Sequence, residues 1–153
     1  MPSSSVLILN GPNLDQLGSR QPEIYGNTSL ADIERLCQDE AKPLGLTLSF
    51  TQSNAETDLI SAIHKACKDN TLAIIINAAA YTHTSVAIAD ALTMFHGPVV
   101  EVHLSNTQSR EEFRHHSYIA SIATGVIAGF GAESYTLAIR AVHSLLASQK
   151  QKR

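Results

Sequence analysis

The sequence predicts a doubly wound α/β fold, a five-stranded parallel sheet with helices on both faces. Three observations predict it. Five short apolar runs recur along 153 residues, amphipathic helical patterns separate most of them, and the length is that of one domain. Continuous apolar strands have no solvated face, so strands joined through helices must lie in a parallel sheet that is covered on both sides by right-handed crossovers.

The runs are SVLIL (5–9), LTLSF (46–50), LAIII (72–76), PVVEVHL (98–104) and TGVIAGF (124–130). After the first, Leu30, Ile33, Leu36 and Cys37 repeat at helical spacing behind Ser29, with Asp32 placed to complete a capping box. ETDLISAIHKACKD (56–69) sets Leu59, Ile60, Ile63 and Cys67 on one stripe. A third helix starts at Ser85, with THTS as its capping segment, and runs through VAIADALTMF to residue 95. A last one follows Ser134 and carries Leu137, Ile139, Ala141, Val142 and Leu145. Five such units make a flavodoxin-like arrangement in one domain over 1–153, with a basic tail at 149–153 expected to fray.

Composition narrows the function classes. Hydrophobic residues are 44% and charged residues 16%, which fits a folded globular chain. A net charge of -3 and a pI near 6.1 leave no general attraction for nucleic acid or an anionic membrane. No apolar run approaches the roughly 18 residues of a membrane span, and MPSSSVLIL lacks the basic region of a secretory signal, so a cytoplasmic protein is expected. Cys37 and Cys67 read as free, buried thiols. The seven histidines show no HExxH or CxxC context, with His64 and His96 assigned to helices and His115 and His116 adjacent, so no metal is expected. GxGxxG, GxxxxGK[ST] and GxSxG are also absent.

In an open α/β sheet, ligands bind beyond the carboxyl ends of the strands, near the point where strand order reverses. The polar residues gather there. Asn10, Asn13, Arg20 and Tyr25 follow the first run; Asn77 and His83 follow the third; Glu101, His103, Ser105 and Asn106 end the fourth. From Asn10 to Thr28 no regular element is expected, and a connection of that length reads as a lid. Its closing part is 18–26, where glycines and prolines shape a loop that carries Arg20 and Tyr25. His83 lies beside a helix N-terminus, a setting suited to a neutral imidazole and an anionic ligand. Glu101 and His103 share one strand face, so the carboxylate can fix the tautomer of the imidazole and favour its protonated form, as a general acid requires. Arg110 and Arg114 supply positive charge just beyond that strand, while Glu111, Glu112 and His115 read as a solvated turn.

NGPNLDQLGSRQPEIYG, AAAYTHTSVAIADAL and EVHLSNTQSREEFRHHSYIA resemble the three signature segments of type II 3-dehydroquinate dehydratases, in that family's order. The resemblance extends through GVIAGFG and the final helix. It implies a flavodoxin-like subunit, no cofactor, a homo-oligomer that is a dodecamer of trimers, and anti elimination of water from 3-dehydroquinate to 3-dehydroshikimate through an enolate. By the same resemblance Tyr25 would be the base, Arg20 would lower its pKa, and Asn13 would hold a water on the enolate oxygen. His103, oriented by Glu101, would protonate the departing hydroxyl. Asn77, His83 and Arg114 would bind ring hydroxyls, and Ser105 with the amides of Leu104 and Ser105 would hold the carboxylate. Arg110 would help to close the site, and Asp90 would reach in from a neighbouring subunit.

The chemistry gives these residue types a reason. A free tyrosine has a pKa of about 10, so a tyrosine base near neutrality needs a shift of roughly 3 units, or about 4 kcal/mol. One cation at about 4 Å supplies about 1 kcal/mol in water and about 4 at an effective dielectric near 20, so the lid must exclude solvent. Ala78, Ala79, Asp15, Gln108 and Ser134 depart from the usual family pattern without removing a catalytic group. Two other functions compete: a sensor that binds a polyhydroxy carboxylate, and a flavin or phosphoacceptor domain. A base and an acid together are superfluous to a sensor, and LILNGPN lacks the acidic cluster of a phosphoacceptor.

Overall fold

The computed structural model describes residues 4–19, 21, 23 and 27–151. Each apolar run becomes a strand: β1 (Ser4–Asn10), β2 (Leu46–Gln52), β3 (Thr71–Asn77), β4 (Val99–His103) and β5 (Gly125–Ala128). They pair in parallel in the order β2-β1-β3-β4-β5, the flavodoxin-like order. The helices are α1 (Leu30–Ala41), α2 (Glu56–Lys68), α3 (Val86–Thr93) and α4 (Glu133–Gln151).

The pleat divides the core in two. Val6, Ile8, Ala73, Ile75, Val100 and Val102 face α1 and α4, while Leu7, Leu9, Ile74, Ile76 and Val99 face α2 and α3. Burial on both sides explains the apolar runs of β1, β3 and β4, since each fully buried Ile, Leu or Val contributes about 1.5–3 kcal/mol, while the edge strands β2 and β5 are partly exposed. Register then sets the rim: Asn10 lies beside Asn77, Ile76 beside Glu101, and His103 beside Ala128.

The helix starts follow the sequence signals. Ser29 and Asp32 form the expected capping box at α1, and Ser85 accepts from the Ile88 amide at the start of α3. Other expectations need correction. α3 stops at Thr93, not residue 95, because Gly97 and Pro98 turn the chain; a Cβ on Gly97 would lie 2.2 Å from the Leu72 carbonyl oxygen. His96 therefore sits in a loop, off the helix. The buried stripe of α4 is Tyr135, Ala138, Ile139 and Val142, while Leu137 is exposed. Cys37 is buried and its thiol is pushed up to about 12 by desolvation, whereas Cys67 is half-buried; both are free. The last helix runs to Gln151, and residues 152 and 153 of the tail expected to fray lie outside the described residues.

Two connections differ from plain loops. The β1–α1 segment contains a 3-10 turn at Leu14–Gln16. Between β4 and β5 there is no α-helix, only 3-10 turns at Thr107–Ser109 and Glu112–Arg114 before the chain re-enters the sheet. That connection folds over the carboxyl ends of the strands and builds half of the site.

Candidate active site

The floor begins where β1 and β3 end side by side. The Gly11 amide donates to the Asn77 carbonyl at 2.8 Å, and a Cβ at Gly11 would stand 2.4 Å from the Ala78 carbonyl oxygen, so only glycine fits. Asn77 Oδ1 accepts from the Ala79 amide at 3.1 Å, bending the chain into the 3-10 turn Ala79–His83. Ala79 takes φ 52, in the left-handed region.

Asn10 and Asn77 both project toward α4, in step with Ile8 and Ile75. There the Tyr135 hydroxyl donates to Asn10 Oδ1 at 2.6 Å and accepts from Asn77 Nδ2 at 2.9 Å, while Asn10 Nδ2 donates to the Thr51 carbonyl. Burial pushes the Tyr135 pKa upward, so its phenol keeps the proton it donates. Asn10, placed on the rim by its position in the sequence, is fully buried in this network.

The other wall comes from β4 and the turn after it. His103 Nε2 lies 2.5 Å from Glu101 Oε2; Glu101 is 1% exposed and His103 7%. An imidazole N–H donating to that carboxylate leaves Nδ1 as the ring's second polar atom. Glu101 also accepts from the Ser117 hydroxyl, at 3.0 and 2.9 Å to its two oxygens. The ring of His83 stacks on that of His103 with centroids 6.5 Å apart and planes 18° off parallel. His83 Nδ1 donates to the His116 carbonyl at 2.8 Å, so Nε2 is left as an acceptor. Burial first, then the positive charge of His103 and Arg114, holds the pKa of His83 below its ordinary value.

Arg114 Nε lies 3.2 Å and Arg110 Nε 3.8 Å from Glu111 Oε1, and Arg110 also reaches Ser105 Oγ at 3.5 Å. Glu111 is the solvated turn residue read from the sequence, exposed at its side chain, and it also contacts both guanidinium groups.

One hollow is lined by Asn13, Asn77, His83, His103, Leu104, Ser105, Arg110 and Arg114. Asn13 sits at its edge with φ 68, its amide donating to Asn54 Oδ1 at 2.9 Å. Glu101 lies behind His103. Asp90 is exposed on α3 and does not line the hollow. Arg20 and Tyr25, with most of the 18–26 lid, lie outside the described residues. Sequence reasoning missed Ser117, Asn54 and Tyr135; for Tyr135 the signal existed, since 135, 138, 139 and 142 repeat at helical spacing. Among the described residues no three His, Cys, Asp or Glu side chains are grouped to hold a metal, and no helix is long and apolar enough to cross a membrane.

A flavodoxin-like sheet with a hollow beyond the carboxyl ends of β1, β3 and β4, lined by the buried carboxylate–imidazole pair's His103 and by two arginines, defines an α/β protein with a polar, basic pocket at the ligand-binding end of its sheet. The family profile for class II dehydroquinase matches residues 4–143. A 3-dehydroquinate dehydratase of Methylobacterium radiotolerans is 55% identical over 147 residues, 96% of this chain and 98% of that protein. One from Cereibacter sphaeroides is 54% identical over 145 residues, 95% and 98% of the two chains. The crystal structure of type II dehydroquinase from Propionibacterium acnes matches with a TM-score of 0.89 at 43% identity, covering 93% of this chain and 97% of that one. The chain belongs to the class II dehydroquinases, a family of hydro-lyases.

Proposed function

We propose that this class II dehydroquinase converts 3-dehydroquinate to 3-dehydroshikimate by anti elimination through an enolate, with Tyr25 as base and His103 as general acid. Tyr25, activated by Arg20, removes the proton beside the ketone, and a water on Asn13 stabilises the enolate oxygen. The ketone re-forms as the carbon–oxygen bond breaks, and the departing hydroxyl takes the His103 proton and leaves as water. The observation that carries this reading is the buried Glu101–His103 pair in the hollow that Arg110 and Arg114 line. A carboxylate-oriented imidazole suits a leaving hydroxyl, and a basic rim suits a carboxylate-bearing substrate.

The remaining groups bind. Asn77, the accepting Nε2 of His83, and Arg114 hold ring hydroxyls; Ser105 and the amides of Leu104 and Ser105 hold the carboxylate; Arg110 helps to close the site. No cofactor takes part. The lid at 18–26 shuts out water. Asp90, turned away from its own hollow, serves a neighbouring subunit in a dodecamer of trimers. Exposed Val126 and Phe130, on and just after the edge strand β5, support assembly. The chain works as one cytoplasmic domain.

An ultraviolet assay for the conjugated enone formed from 3-dehydroquinate tests the activity, and light scattering tests the assembly. Tyr25→Phe and Arg20→Ala each lower turnover by orders of magnitude in a protein that still folds; near-wild-type turnover in both removes the mechanism.

A further inference from the structure

We propose that Ser117 is a positioning residue for the general acid: its hydroxyl holds the Glu101 carboxylate in the orientation that aims His103 at the leaving group. The inference rests on the reading of His103 as that acid. The donor direction follows from counting partners. Ser117 Oγ accepts from the amides of Ile119 at 3.1 Å and Ala120 at 3.0 Å, which occupies both lone pairs. Its single proton then has one destination, the Glu101 carboxylate, 3.0 Å from Oε1 and 2.9 Å from Oε2.

A carboxylate has a broad, soft terminal torsion, and Glu101 is almost fully buried, where few groups can fix that torsion. Ser117 fixes it from one side as His103 Nε2 engages it from the other. The turn that carries Ser117 is itself anchored: Ile119 is fully buried, and the Tyr118 amide donates at 3.0 Å to the carbonyl of Thr82, next to His83. The hydroxyl therefore works from a rigid support, and the imidazole it orients through Glu101 keeps Nδ1 for the substrate.

Steady-state kinetics of Ser117→Ala and Ser117→Thr, read by enone formation, test this. Ser117→Ala lowers kcat by about tenfold to a hundredfold, part of the roughly 10²–10⁴-fold that a positioned general acid supplies, and leaves KM unchanged. Ser117→Thr, which keeps the hydroxyl, restores most of kcat. Wild-type kcat in Ser117→Ala overturns the proposal, as does a Thr variant no better than Ala, or a KM that rises in proportion as kcat falls. Where Ser117→Ala does not fold, Ser117→Cys roughly keeps the bulk and weakens the hydrogen bonds to Glu101, Ile119 and Ala120; lowered kcat at constant KM supports the proposal, and unchanged kcat overturns it. A wild-type protein that forms no enone sinks the dehydratase reading as well, whereas an active wild type indifferent to these changes sinks this proposal alone.

Discussion

Nδ1 of His83 donates to the carbonyl oxygen of His116 across 2.8 Å, and this bond fixes the imidazole with its other nitrogen as an acceptor. Burial holds the pKa of that ring below the ordinary 6.5. As pH falls through about 6.5, the unfolded chain takes up a proton at this position before the folded one does. Stability is therefore lost on the acid side. Urea denaturation from pH 7 to about 5 reads it: the wild type loses more stability over this range than His83→Asn, whose side chain does not titrate. Equal losses in both proteins would contradict this assignment.

Glu111 bridges Arg110 and Arg114, and its carboxyl titrates below the usual range because a backbone amide donates to it, helped by Arg114. Glu111→Gln releases both guanidinium groups from their shared oxygen. The expected result is a KM for 3-dehydroquinate raised about two- to fivefold, the scale of an exposed ion pair, with kcat and melting temperature unchanged. A loss confined to kcat would place the residue in the chemistry instead.

Removing one oxygen from Tyr135 strands two partners. In Tyr135→Phe the buried Asn10 Oδ1 and Asn77 Nδ2 lose their shared hydroxyl, which costs about 1–3 kcal/mol of stability. Because Asn77 forms part of the floor, KM rises too. Calorimetry and kinetics on one preparation measure both effects.

The floor contains two backbone positions of opposite tolerance. Ala79 sits at φ 52, which costs an L-residue about 1–2 kcal/mol, so Ala79→Gly raises stability by up to about 1 kcal/mol after the glycine's extra unfolded-state entropy. Gly11→Ala drives a methyl group into the Ala78 carbonyl and costs about 1–3 kcal/mol. Denaturation midpoints should move in opposite directions.

The sheet was legible because the central strands β1, β3 and β4 are buried on both faces and the edge strands β2 and β5 still carry short apolar runs, a pattern that needs no knowledge of partners. The carboxylate–imidazole pair was legible for a similar reason, since Glu101 and His103 are two residues apart on one strand. Ser117 was not, because its partner lies 16 residues away and its role exists only once the β4–β5 connection folds back. Glu111 is solvated, as its composition suggests, but its contact with Arg114 exists only because the 3-10 turn Glu112–Arg114 brings that side chain to it. Local pattern reads strands and same-face neighbours; polar partners brought together by loops need coordinates.

The bond between Asn10 and Tyr135 spans 125 positions. During synthesis the ribosome releases the first central strand long before the residue that completes its polar end. A nascent chain cut off anywhere between β3 and α4 carries Asn10 and Asn77 with no phenol between them, so quality control would meet such fragments as unfinished, with the substrate floor the last part to set.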